Sequence, residues 1–129
     1  MDLGLWGKVS LITGSTNGIG KAIAIEMARE GADVIINGRK KNTADQVVSE
    51  IKEKFPGTNP QGAAFDISIA EEREKLFKQI PQVDVLVNNM GIFKPMNYFD
   101  ISEETWQHLL MRERVQLIVS QQNIFCKIF

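Results

Sequence analysis

Short apolar runs alternate along this chain with longer segments in which apolar residues recur every three or four positions. The runs are typical of buried β-strands, and the longer spacing is typical of helices with one face on a core. Strands are predicted at Lys8–Thr13, Asp33–Asn37, Gly62–Ile67 and Val83–Asn88. Helices are predicted from Gly18, from the capping residues Asn42 or Thr43 to about Phe55, from Ser68 to Ile80, and from Ser102. This alternation predicts an α/β fold with a parallel sheet.

Polar and glycine residues mark the predicted helix ends. Ser68 followed by Glu71 has the pattern of a capping box, in which each side chain bonds to the other residue's backbone. Ser102 precedes two acidic residues, a favourable helix start. Gly31 is predicted to close the first helix, because glycine adopts the left-handed conformation without a side-chain clash.

Composition and charge narrow the class of protein. The chain has 129 residues, of which 43% are hydrophobic and 24% charged, as expected for a single globular domain. The net charge of −1 argues against nucleic-acid binding. With no long apolar stretch and one cysteine, the sequence predicts a soluble cytoplasmic protein without a membrane span, disulfide or metal site.

A glycine-rich segment follows the first predicted strand and reads T-G-S-T-N-G-I-G. Gly14 permits a sharp turn, Gly18 permits backbone to approach a phosphate, and Gly20 permits close packing of the next helix. Backbone N–H groups and the helix dipole there would complement a dinucleotide pyrophosphate. A tight strand-to-helix turn without a ligand is the alternative.

The spacing G-x-x-x-G-x-G after Thr13 resembles the short-chain dehydrogenase/reductase family, in its single-domain subgroup. Asn88-Asn89-Met90-Gly91 is similar to that family's N-N-A-G motif, with Met90 in place of alanine. Asp66 matches the family's aspartate that contacts adenine, and Glu103–Trp106 resembles the opening of the family's next helix. The resemblance runs from about Leu5 to Leu110.

The resemblance implies a partial Rossmann-like, doubly wound sheet of about four strands in the order 3-2-1-4. Residues 1–110 would form the dinucleotide-binding half, and residues 111–129 a divergent tail with helical spacing. The implied cofactor-binding residues are Thr13, Gly14, Ser15, Thr16, Asn17, Gly18, Ile19, Gly20, Arg39, Lys40, Asp66, Ile67, Asn88, Asn89 and Gly91.

The end of the second strand indicates which dinucleotide is preferred. An acidic residue there would bond the ribose hydroxyls of NAD(H), whereas an arginine accommodates the phosphate of NADP(H). In the family's register Gly38 takes the acidic position, and Arg39 and Lys40 follow it. NADP(H) is therefore favoured over NAD(H). The alternative is that both cations only solvate a loop.

The family's catalytic serine, tyrosine and lysine have no counterparts in this sequence. Tyr98 is its one tyrosine, and Ser102 stands where the lysine of a Y-x-x-x-K motif would be. Glu113 replaces the expected helix asparagine, and the resemblance ends at about Met111, which indicates a disrupted gene. The sequence predicts a truncated NADP(H)-binding oxidoreductase, inactive unless a catalytic half supplies a substrate site. A nucleotide-binding module, a subunit that pairs with a like or unlike chain, and a non-functional remnant are the alternatives.

Overall fold

The computed structural model describes residues 2–91, 96–108 and 110. Four strands alternate with three helices, and a short 3₁₀ turn follows them. In chain order they are β1 (Val9–Ile12), α1 (Gly18–Arg29), β2 (Asp33–Gly38), α2 (Lys41–Lys54), β3 (Gln61–Ala64), α3 (Ala70–Gln79), β4 (Val85–Val87) and the turn Tyr98–Asp100. Residues 103–108 are helical as well.

All strand pairs are parallel, and the order across the sheet is β3-β2-β1-β4. Leu11 of β1 lies between Ile35 of β2 and Leu86 of β4, so the centre of the sheet is apolar. This topology confirms the predicted partial Rossmann-like fold and its strand order.

Each face of the sheet has its own core. Alternate strand residues point to opposite faces, and both faces must be covered because each carries buried apolar residues. On one face, Ile12 and Ile36 pack with Ala24 of α1 and Val47 of α2. On the other face, Leu11 and Ile35 pack with residues of the α3 region, Leu76 and Ile80. Because all four strands are parallel, their carboxyl ends lie at the same edge of the sheet.

The ends of two helices differ from the sequence prediction. α2 begins at Lys41 rather than at Asn42 or Thr43, and the Thr43 hydroxyl donates to the Lys40 carbonyl instead of capping an N–H group. α3 begins at Ala70, so the predicted capping box of Ser68 and Glu71 is wrong. The Ser68 hydroxyl donates to Asp66 Oδ1 at 2.5 Å, which takes it away from the helix.

Two other predicted ends are confirmed. Gly31 follows Glu30, the C-cap of α1, has φ +89° and donates its N–H to the Ala28 carbonyl. The Ser102 hydroxyl accepts a hydrogen bond from the Thr105 N–H at 3.2 Å, as an N-cap does. The helical tail predicted at residues 111–129 lies outside the described residues.

Candidate functional site

A cavity of about 790 Å³ opens at the carboxyl edge of the sheet. Ligands of open α/β sheets bind at this edge, where the strand order reverses, and here that point lies between β1 and β4. The loops that follow all four strands form its walls. They contribute Gly14, Thr16, Asn17, Gly18 and Ile19 after β1, Asn37, Gly38 and Arg39 around the β2 end, Phe65, Asp66 and Ile67 after β3, and Asn89, Met90 and Gly91 after β4.

In the turn between β1 and α1, Gly14 permits the sharp bend and Gly20 the close packing that the sequence predicts, whereas the approach of a phosphate to Gly18 stays a prediction. Gly14 and Gly18 have φ of +62° and +56°, values that side-chain-bearing residues rarely adopt. Gly20 lies so close to the turn that an added Cβ would overlap the Gly14 carbonyl oxygen and Asn89 Nδ2. Any larger residue at position 20 would push α1 away from the cavity.

The N-terminus of α1 faces this cavity and is suited to an anion. Asn17 precedes the helix in an extended conformation. The Lys21 N–H donates to the Asn17 carbonyl. The first N–H groups of a helix have no partner within it and carry the positive end of its dipole. Because the first turn of α1 contains no acidic residue, no carboxylate of that turn competes for these donors. Such a terminus binds phosphate through backbone atoms.

Thr13 fastens the β1 turn to the loop that follows β4. Its buried hydroxyl accepts hydrogen bonds from the N–H groups of Asn89 and Met90, both at 3.0 Å. In the opposite direction, the side-chain amide of Asn89 donates to the carbonyl oxygens of Thr13 and Gly14, at 3.2 and 3.1 Å. The two sequence motifs are therefore parts of one hydrogen-bonded unit.

Asn37, which sequence reasoning did not single out as a site residue, holds three loops together. Its side chain accepts from the Gly14 N–H at 3.2 Å and donates to the carbonyls of Ala63 at 3.0 Å and Phe65 at 3.2 Å. Its backbone N–H donates to the hydroxyl of Ser15 at 3.0 Å. The available signal was a polar residue directly after the apolar run Val34–Ile36.

The β2 end supplies a cation to the cavity. Arg39 lines the wall and is exposed, and no carboxylate in the described part of the chain pairs with it. Gly38 beside it lies close to Thr16 of the β1 turn. Lys40 is exposed but does not line the cavity.

After β3 the chain leaves the sheet earlier than predicted, and this places Asp66 and Ile67 in a loop. Asp66 Oδ1 accepts hydrogen bonds from the backbone N–H and the hydroxyl of Ser68. The Asp66 N–H donates to the Glu72 carboxylate, and the Arg73 guanidinium donates to the Ile67 carbonyl at 2.8 Å. These bonds to α3 fix the wall that Phe65, Asp66 and Ile67 form. Phe65 was also missed, although it directly precedes Asp66.

The structure gathers most of the predicted site residues around one cavity, but it gives some of them other positions. Thr13 and Ser15 are buried behind the turn, where they hold its shape. Gly20 is a packing position, and Lys40 and Asn88 do not line the wall. Contact between these residues and a cofactor stays a prediction.

The parallel sheet, the glycine turn and the cavity at the switch point define a Rossmann-like protein. The chain belongs to the short-chain dehydrogenase family, whose model matches residues 8–119. An oxidoreductase of Bacillus subtilis strain 168, YvaG, is 50% identical over 106 residues, which cover 82% of this chain and 40% of that protein. The 3-oxoacyl-[acyl-carrier-protein] reductase FabG of Aquifex aeolicus is 35% identical over 127 residues, which cover 95% of this chain and 51% of the reductase.

Among solved structures, L-sorbose reductase of Gluconobacter frateurii, in complex with NADPH and L-sorbose, superposes with a TM-score of 0.83 at 30% identity. The match covers 96% of this chain and 48% of the reductase. The chain thus spans about half the length of the relatives it matches. No described helix is long and apolar enough to cross a membrane, and the described residues contain no metal-binding group of three His, Cys, Asp or Glu.

Proposed function

We propose that this chain binds a nicotinamide dinucleotide and prefers NADP(H). The observation that carries the proposal is the exposed guanidinium of Arg39 on the cavity wall, unpaired within the described part of the chain, beside a glycine instead of an acidic residue. Guanidinium groups grip phosphate through two parallel hydrogen bonds. The NADPH complex of the Gluconobacter reductase supports this choice of cofactor.

The rest of the cavity fits the other parts of such a cofactor. The free N–H groups at the start of α1, beside Gly14 and Gly18, suit the pyrophosphate. The loop from Phe65 to Ile67 offers an apolar wall and a carboxylate, which suit an adenine ring and its amino group. The loop that contains Asn89 lies on the other side of the glycine turn and would receive the nicotinamide end.

The bound dinucleotide would supply hydride transfer between its nicotinamide and a carbonyl or alcohol, the chemistry that the family implies. Tyr98 is the single tyrosine among the 129 residues, and it lacks the lysine four positions on. The residue is 70% exposed, its ring packs edge-on against Phe99 and Trp106, and it is not among the residues that line the cavity. We therefore propose that these 129 residues bind the cofactor without turnover, and that a catalytic half must supply the substrate site.

Removal of the guanidinium tests the preference for NADP(H). In R39A we expect NADPH affinity to fall about tenfold to a hundredfold, the effect of losing a hydrogen bond to a charged group. NADH affinity should change little. Isothermal titration calorimetry with each dinucleotide measures both values. K41A, which removes a neighbouring exposed cation outside the cavity wall, is the matched control.

Three results would count against the proposal. Wild-type protein that binds neither dinucleotide would refute nucleotide binding, and equal losses of NADPH affinity in R39A and K41A would refute the role of Arg39. Carbonyl reduction by the purified chain alone would refute the absence of turnover. The subunit-pairing alternative predicts instead a stable complex with another chain, which sedimentation velocity measures.

A further inference from the structure

The side chain of Thr16 occupies the space beside Gly38. A Cβ added to Gly38 would overlap the Thr16 methyl group, and it would lie 3.3 Å from Thr16 Oγ1 and 3.4 Å from Thr16 Cβ. The three nearest atoms thus all belong to one side chain. The backbone of Gly38 is not in the left-handed region, unlike that of Gly14 or Gly18. Contact with Thr16, and not backbone strain, is what requires glycine at position 38.

The backbone at both positions is held by hydrogen bonds of the residues next to them. Ser15, next to Thr16, donates its N–H to the Asn37 carbonyl at 2.8 Å and its hydroxyl to the Ile12 carbonyl at 2.7 Å. Asn37, next to Gly38, is held in turn by its bonds to the β1 turn and the β3 end. Threonine is also stiff about χ1, because two heavy atoms branch from its Cβ. The contact between positions 16 and 38 therefore lies between two fixed stretches of backbone.

We infer that Thr16 is a residue that determines cofactor specificity, because its methyl group stands where the Cβ of any other residue at position 38 would lie. Position 38 is where a carboxylate would bond the ribose hydroxyls of NAD(H) and repel the phosphate of NADP(H). With that side chain excluded, Arg39 is the charged residue that the β2 end presents to the cavity. The inference rests on the proposed function, and it predicts that the preference changes only when both positions are substituted.

The steric contact between positions 16 and 38 can be tested without a ligand. We compare G38A in the wild-type background with G38A in T16S, a variant that removes only the methyl group. We expect G38A to lower the melting temperature in the wild-type background and to have much less effect in the T16S background. Circular dichroism measures the four melting temperatures of this double-mutant cycle. Equal losses in both backgrounds would overturn the inference.

The role of Thr16 in cofactor specificity is tested with two small compounds that represent the adenosine half of the dinucleotide, 2′,5′-ADP and 5′-AMP. Calorimetry on wild type, G38D, T16S and T16S/G38D gives the ratio of their affinities in each protein. We expect G38D alone to weaken both probes, and T16S/G38D to shift the ratio at least tenfold toward 5′-AMP. A full shift in G38D alone, or an unchanged ratio in the double variant, would overturn the inference.

The two experiments separate this inference from the proposed function. If wild type binds neither 2′,5′-ADP nor NADPH, the proposed function fails, and the specificity role of Thr16 fails with it. If wild type binds both but the effects at positions 16 and 38 are additive, the proposed function stands and only the inference fails.

Discussion

Asn37 shows how much of the site depends on one buried side chain. Its amide donates to two carbonyls at the end of β3, and its carbonyl oxygen accepts from the glycine turn. With 2% of its surface exposed, water cannot replace these partners. A buried donor or acceptor left without its partner costs about 1–3 kcal/mol, and more if the group is charged.

We therefore expect N37D to lose about 3 kcal/mol of unfolding free energy, because a carboxylate cannot donate to the carbonyls of Ala63 and Phe65. NADPH affinity should fall as well, since the loops that Asn37 joins form the cavity. Urea denaturation and calorimetry measure the two effects. N42D makes the same change at an exposed position of α2. Equal stability of N37D and N42D would show that the network does not hold these loops.

Residues whose role depends on local geometry could be predicted from the sequence. Gly14 and Gly20 belong to a motif with fixed spacing, and the structure gives them the turn conformation and the close packing that the spacing indicates. Asn37 and Phe65 could not be identified in this way. Their part in the site comes from the meeting of β1, β2 and β3, which lie far apart along the chain.

The type and order of the helices and strands could be predicted from the sequence, but the residues at which they begin and end were predicted less well. The apolar pattern locates all four strands, yet β3 ends at Ala64, before Asp66 rather than after it. Ser68 has the residue type of a helix cap, and the Asp66 carboxylate takes its hydroxyl instead. Ser68 bonds to a neighbouring side chain rather than to the start of α3, and sequence pattern alone does not show which of the two contacts is made.

Helices α1 and α2 are joined by a group of three charges. Glu50 of α2 contacts Lys21 of α1 at 2.6 Å and Lys54 of its own helix at 2.7 Å. The hydrogen bonds from Lys21 and Lys54 lower the pKa of Glu50 from 4.5 to about 2. The Glu50 side chain is 33% exposed, so solvent and salt weaken this contribution to stability.

The pKa of Glu50 predicts how this contribution depends on pH. A carboxyl whose pKa is lower in the folded state stabilises the protein above its unfolded pKa, and the effect disappears as pH falls through the folded value. We expect E50Q to lower the melting temperature at pH 7 and the difference from wild type to shrink between about pH 4.5 and 2. Thermal melts across this range measure the difference.

E53Q is the matched control for this experiment, because Glu53 is exposed on the same helix and has no ion pair among the described residues. It should leave the melting temperature nearly unchanged at each pH. A difference between E50Q and wild type that stays constant down to pH 2 would contradict the ion-pair explanation.

For the molecule as a whole, the cavity is the place where the segments that follow all four strands come together. Loops from every strand form its wall, whereas the two cores lie on opposite faces of the sheet. Within the described residues β4 pairs only with β1, so one edge of a short strand has no neighbouring strand there. A ligand that contacts all four loops would therefore stabilise the sheet as a unit.

Stabilisation by a bound dinucleotide separates a folded nucleotide-binding protein from a non-functional remnant. A ligand that binds only the folded state at about 100 times its Kd adds about 2.7 kcal/mol to stability. For a chain of this size we expect NADPH to raise the midpoint of a cooperative melt by roughly 10 °C. NADH at the same concentration should raise it less, because it lacks the phosphate that Arg39 is proposed to bind. Differential scanning calorimetry measures both shifts. A broad melt that neither dinucleotide moves would favour the remnant, because a sheet that does not form as a unit cannot bring the four loops together around a cofactor.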